Sequence, residues 1–238
     1  MLEKIKLENI LFIDIETAPM VATFDDLDPR FQKMWEKKAI YLKKEDQTAS
    51  EIFSRAAIYA EFGKIICISV GFILLKDGER HFRLKSFYND NEKQLLIDFA
   101  TMINAQKEDK LFCAHNGKEF DYPYIARRML INGIKIPKML DNSGKKTWEI
   151  NHLDTLELWK FGDYKHYTSL ELLTTIFDIP TPKDDIDGSE VAEVYWVQKD
   201  LKRIVAYCEK DVLAVAQLIL RYKGDLLIDE NNVEVITA

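Results

Sequence analysis

Nothing in these 238 residues approaches the run of roughly 20 apolar residues that a membrane-spanning helix needs. The first six, Met1-Leu2-Glu3-Lys4-Ile5-Lys6, lack the apolar core of a secretory leader, so the expectation is a cytoplasmic protein with no membrane partner. Cysteine is scarce. Cys67, Cys113 and Cys208 are odd in number and far apart, which disfavours both a disulfide framework and a zinc cluster and predicts three reduced, mostly buried thiols. Basic charge is in deficit as well. A formal net charge of −7 argues against strong indiscriminate nucleic-acid binding, which needs many Lys and Arg at phosphates. It leaves room for an enzyme that grips a few nucleotides through metal ions, whose own charge offsets part of the excess. Internal repeats and low-complexity tracts are absent too.

What is present is a globular composition. With 47% of residues hydrophobic and 31% charged, the chain carries enough apolar mass for one sizeable core, and a single domain over 1–238 is expected. Ile10 to Ile15 reads as a buried first strand, apolar on both faces. Residues 24–60 are charged and mixed around apolar points such as Phe31, Trp35 and Phe53, and predict an insertion of one or two peripheral helices. Ile65 to Leu75 and His81 to Tyr88 are β-rich runs joined through Asp77-Gly78, a strong hairpin signal. Asn91 to Ala105 has helical spacing, Lys110 to Ala114 is a short strand, and Asp121 to Ile131 a helix ending near Asn132-Gly133. Trp148 to Leu153 is read as another strand and Thr168 to Phe177 as a helix stopped by Pro180; Ser189 to Val197 and Asp200 to Tyr222 are further helices. Asp178 to Gly188 is a loop and the tail after 224 is peripheral. This order predicts an α/β fold with a mixed five-stranded sheet, its first three strands antiparallel and the remainder parallel, flanked by helices.

Chemistry concentrates in three places. In Leu11-Phe12-Ile13-Asp14-Ile15-Glu16-Thr17 the two acids are one residue apart on a strand, so they face the same way with α-carbons about 6–7 Å apart. Like charges that close disfavour each other's ionisation. A divalent cation is the usual remedy, and hard oxygen ligands favour Mg²⁺ or Mn²⁺. The second place, Ala114-His115-Asn116-Gly117-Lys118-Glu119-Phe120-Asp121, puts Asp121 in the first turn of a helix, where the dipole favours a carboxylate; alone it reads first as a helix cap. The third, Tyr207-Cys208-Glu209-Lys210-Asp211, sets Tyr207 and Asp211 on one helical face beside Val205, Val212, Val215 and Leu218. Asp211 therefore borders an apolar surface, where it requires a basic partner or a metal.

Asp14-x-Glu16, Asn116-x₃-Phe120-Asp121 and Tyr207-x₃-Asp211, in this order, resemble the three motifs of the DEDD 3′–5′ exonucleases in their tyrosine-bearing branch. The histidine-bearing branch would have its histidine at position 206, where this chain has Ala206. The text around the motifs looks most like predicted exonucleases related to the proofreading domain of family B DNA polymerases, and the resemblance runs from about residue 10 to 222. It implies an RNase H-like fold and two divalent cations, Mg²⁺ or Mn²⁺, held by Asp14, Glu16, Asp121 and Asp211. Asp14 would bridge both ions and Tyr207 would orient the attacking water. Substrate contacts are implied at Thr17, Asn116, Phe120 and Lys165, with plain core packing an equal reading for Phe120. The implied partner is the 3′ end of a single-stranded nucleic acid, DNA ahead of RNA, cut by a two-metal mechanism to nucleoside 5′-monophosphates; any polymerase or repair partner is unspecified.

Other polar and aromatic residues carry weaker readings. His115 reads as a loop hydrogen-bonder, Asp154 as the cap of a following helix, Trp35, Tyr41 and Phe62 as packing or a peripheral patch ahead of base stacking, and Glu209 and Lys210 as a solvated face. Three rival functions remain: an RNA-trimming exoribonuclease, a catalytically silent exonuclease-like binding module, and a haloacid-dehalogenase-type phosphatase. The last fits poorly, because its second acid would be Asp and nothing would then explain Tyr207 and Asp211. A silent module would be expected to have lost a carboxylate, and all four are in place.

Overall fold

The computed structural model describes residues 3, 5–163, 167–180 and 186–236. Six strands form one sheet: β1 (Ile10–Pro19), β2 (Gly63–Lys76), β3 (Glu79–Tyr88), β4 (Leu111–Ala114), β5 (Leu153–Asp154) and β6 (Val233–Val235), in the order β5-β4-β1-β2-β3-β6. β1, β2 and β3 are antiparallel neighbours, whereas β4 runs parallel to β1 and β5 parallel to β4. The mixed sheet is the expected one with an added strand. Val233–Val235 pairs parallel with β3, and the Ile236 amide donates to Leu84 O at 2.7 Å. This covers backbone groups that an open edge strand would leave unpaired. The tail is therefore more than peripheral: Ile228 is buried, and both its amide and its carbonyl bond the Gln217 side chain.

Alternation along β1 divides its residues between two cores. Leu11, Ile13 and Ile15 pack beneath helices α2 (Glu92–Asn104) and α3 (Asp121–Ile131), while Ile10 and Phe12 face the long helix α7 (Leu201–Lys223). α7 sits close because β2 has Gly71 at the crossing, where a β-carbon would run into the Phe82 ring and meet Val212. The β2–β3 hairpin turns through Asp77 (φ 53°) and Gly78 (φ 85°), the two left-handed positions of a two-residue turn. On the other face a buried ion pair fastens three elements. Arg128 of α3 donates to both carboxylate oxygens of Glu92 in α2 (2.8 and 2.6 Å), and Glu92 also accepts the Ile65 amide of β2 at 2.7 Å.

The 24–60 segment contains one α-helix, α1 (Pro29–Ala39), and a 3₁₀ stretch at Phe53–Ile58. Asp28 caps α1 and Pro29 opens it. Trp35 is fully buried against Phe53 and Phe62, so these rings are core residues, whereas Tyr41 is 89% exposed. Two elements depart from expectation. Of the strand expected over Trp148–Leu153 only the end is extended, because Glu149 accepts the Lys146 amide at 2.6 Å and curls Thr147–Glu149 into a 3₁₀ turn. The helix expected over Thr168–Phe177 forms as α5 (Leu170–Ile176), whereas that expected over Ser189–Val197 is α-helical only at α6 (Val191–Glu193), then widens to a π turn over Val194–Gln198. Tyr195 donates there to Asp90 and Trp196 to the Pro19 carbonyl, and the extra residue lets both side chains reach their anchors.

Candidate active site

β1 presents Asp14 and Glu16 to α7 from the middle of the sheet, paired across β2 with Ser69 and Cys67. Immediately after Glu16 the register slips, Thr17 pairing with Ile65, an irregularity that re-aims side chains at the end of the strand. Cys208 of α7 bonds β1 here: its Sγ lies 3.3 Å from Asp14 Oδ2 and 3.5 Å from the Asp14 carbonyl. One turn along, the Tyr207 hydroxyl donates to the Asp211 carboxylate.

Asp121 arrives from the sheet's parallel side. After β4 the chain turns through Asn116 (φ 63°), with Asn116 N and Lys118 N donating to the two oxygens of Asp154 at 3.0 and 3.1 Å. Asp154, only 2% exposed, also accepts from Leu156 N and Glu157 N, capping the helix α4 (Thr155–Lys160). The left-handed residue of this turn is Asn116 rather than Gly117; Gly117 is required because a β-carbon would strike that of Ala114 and crowd the Tyr122 ring. The clamped turn delivers Asp121, 3% exposed, to the N-terminus of α3, beside the β1 backbone at Ile15.

The acids act on one another. Burial first, then Glu16, Asp121 and Asp211, raise the Asp14 pKa well above the ordinary carboxylate range. Burial and then Asp211, Cys67 and Asp121 do the same to Glu16. Burial chiefly, with Asp154 and Asp211, raises Asp121 to about 7 against two backbone hydrogen bonds that lower it. Tyr207 is pushed upward by burial and by Asp211, Glu16 and Asp14, so its hydroxyl stays protonated. Among the described residues no cationic side chain figures in the shifts of Asp14, Glu16 or Asp121. Glu16 is 8% exposed and makes no hydrogen bond or ion pair there, and ligand atoms of Asp14, Glu16 and Cys208 lie within 4.8 Å of one another. Such a donor set fits a divalent cation.

The remaining residues singled out above are placed as follows. Thr17 is buried near Tyr124, whose hydroxyl donates to the Ala57 carbonyl at 2.7 Å, and Phe120 packs on the Tyr124 ring at the core's edge. His115 spans Thr155 Oγ1 and Thr168 O, both at 2.9 Å, as a loop hydrogen-bonder; burial lowers its pKa. Glu209 departs from the solvated-face reading, since Ser86 Oγ donates to it at 2.6 Å. Lys165 lies outside the described residues. Tyr167, which no motif in the sequence singles out, meets the His115 ring edge-on, and its hydroxyl is raised by burial and by Asp121, Asp154, Asp14 and Asp211. Cys208, expected only as a buried thiol, is buried and lies against Asp14. An aromatic residue next to His166 carries no periodic signal that would have singled it out.

The chain belongs to the family described as a predicted 3′–5′ exonuclease related to the exonuclease domain of PolB, which it matches over residues 58–230. That stretch holds Asp121, Tyr207 and Asp211; Asp14 and Glu16 precede it. Among curated proteins it is similar to a DNA polymerase of Pyrococcus glycovorans, 23% identical over 141 residues, and to DNA polymerase 1 of Pyrococcus abyssi, 24% identical over 141 residues. Each alignment covers 54% of this chain and 18% of the relative, so the chain spans about a fifth of the length of the curated relatives it matches. A solved family B DNA polymerase from Pyrobaculum calidifontis aligns with 90% of this chain and 24% of its own, at 17% identity and a TM-score of 0.47.

Proposed function

We propose that this chain is a metal-dependent 3′–5′ exonuclease of the tyrosine-bearing DEDD type, removing nucleoside 5′-monophosphates from the 3′ end of single-stranded nucleic acid, DNA in preference to RNA. The observation that carries this reading is the convergence of acids from three elements: ligand atoms of Asp14 and Glu16 on β1 lie within 4.8 Å of each other, and Asp121 and Asp211 are close enough to act on them. These four carboxylates would hold two ions, Mg²⁺ or Mn²⁺. Bound there, the ions would acidify a water and stabilise charge on the attacking and leaving oxygens of an in-line displacement.

The chain's own contribution is positional. Asp14, on the central strand, is the natural residue to be shared between two ions. Tyr207 is too weak an acid to act as a base near neutrality, so its protonated hydroxyl orients the nucleophile while remaining tied to Asp211. Asp154 fixes the turn that delivers Asp121, and Tyr167, close enough for the acids to raise its hydroxyl, would be the aromatic ring to meet a terminal base or sugar. The test is a time course on 5′-labelled single-stranded DNA and RNA with Mg²⁺, Mn²⁺ or EDTA. A ladder shortening from the 3′ end, abolished by EDTA and stronger on DNA, is expected. A stronger ladder on RNA makes the chain an exoribonuclease, and binding without cleavage under every ion makes it a silent module.

A further inference from the structure

The exonuclease reading gives Cys208 no task, yet its sulfur is aimed at the carboxylate on which that reading depends. Sγ is 3.3 Å from Asp14 Oδ2, and both atoms lie within 4.8 Å of a Glu16 oxygen. Two donors on one tetrahedral ion, with metal–sulfur and metal–oxygen bonds of about 2.3 and 2.0–2.2 Å, stand about 3.5 Å apart. The sulfur and the Asp14 oxygen are therefore already spaced as neighbouring ligands. Glu16 is the independent sign that a cation belongs here: more than nine-tenths buried, it turns into this space with no hydrogen bond or ion pair among the described residues.

We propose that Asp14, Glu16 and Cys208 form a mixed oxygen–sulfur site that captures a thiophilic divalent ion, Zn²⁺ or Cd²⁺, in place of the hard ion at Asp14. Capture breaks the S–H bond, forms a sulfur–metal bond and releases one proton to solvent per ion. A thiolate ligand adds to the general preference of nitrogen, oxygen and sulfur sites for Zn²⁺ over Mn²⁺. The captured ion holds Asp14 where it already lies, beside Cys208, and keeps it from being shared between two hard ions, so it arrests turnover. That arrest rests on the proposed function; the capture itself does not.

The probe is CdCl₂ added to the full chain after chelator treatment under reductant, read by the ultraviolet thiolate-to-cadmium charge-transfer band. One Cd²⁺ per chain should saturate the band. C208S should lose it and bind Cd²⁺ at least roughly tenfold more weakly, while C113S, whose thiol packs in a different cluster, keeps it. On the wild-type chain, excess Mn²⁺ should bleach the band through competition for Asp14, a measurement independent of how any variant folds. No band in the wild type, a band that survives C208S, or one indifferent to Mn²⁺ overturns the proposal. In parallel, Zn²⁺ should stop 3′ trimming reversibly to chelator, with a smaller effect on C208S relative to its own zinc-free rate. A chain with the band but no trimming under any ion retains the metal site and loses the exonuclease reading.

Discussion

At the scale of single residues, the site joins groups that burial and repulsion hold away from their ordinary ionisation. If Asp14 and Asp211 hold the ions and Tyr207 only orients, Asp14→Asn and Asp211→Asn should remove measurable hydrolysis, whereas Tyr207→Phe leaves a residue of it. Single-turnover assays at saturating Mn²⁺ check this, and equal loss in all three would refute the division of labour. The Asp121 pKa of about 7, against 3.8 for the free group, has a definite sign. The folded protein holds that proton more tightly than the unfolded one, so between about pH 4 and 7 each rise in pH costs stability; below that window the penalty vanishes and above it is complete. The shift corresponds to a few kcal/mol. Chelated protein should lose this contribution from pH 5 to pH 8, and the rise in Tm on adding Mn²⁺ should be larger at pH 8. Asp121→Asn should flatten both trends in differential scanning fluorimetry.

At the scale of elements, the Asp154 clamp offers a sharp test. Asp154→Ala abandons four backbone donors, and even one left buried without a partner costs about 1–3 kcal/mol. Urea unfolding should register at least that loss, with Mn²⁺ affinity falling as the turn before Asp121 loosens. The buried Glu92–Arg128 pair should respond in the same assay: Arg128→Met strands a carboxylate and should cost about 3–5 kcal/mol. The two differ in how far the sequence foretold them. Asp154 was legible as a cap because the acid stands directly before a helical run. The Glu92 partnership was not, since the partners lie 36 residues apart and local pattern cannot pair two charges among so many. The hairpin and the helix Asp121–Ile131 read correctly because their signals, Asp77-Gly78 and Asn132-Gly133, are local. The π turn at Val194–Gln198 did not, because it answers to Pro19 and Asp90, distant in the chain.

At the scale of the whole molecule, the sheet draws its strands from both ends of the sequence. A chain stopped after Gly224 would lose β6 and the Ile228 plug, baring the outer edge of β3. It should melt at lower temperature and associate with rising concentration in analytical ultracentrifugation, whereas the full chain should not. Asp14 and Cys208 touch across 194 positions. A ribosome still making the middle of this protein therefore holds the first two acids with nothing to complete them. If the site cuts as proposed, cutting begins only once the long helix bearing Cys208 and Asp211 has emerged and docked, and the unfinished polypeptide would spare nearby strands.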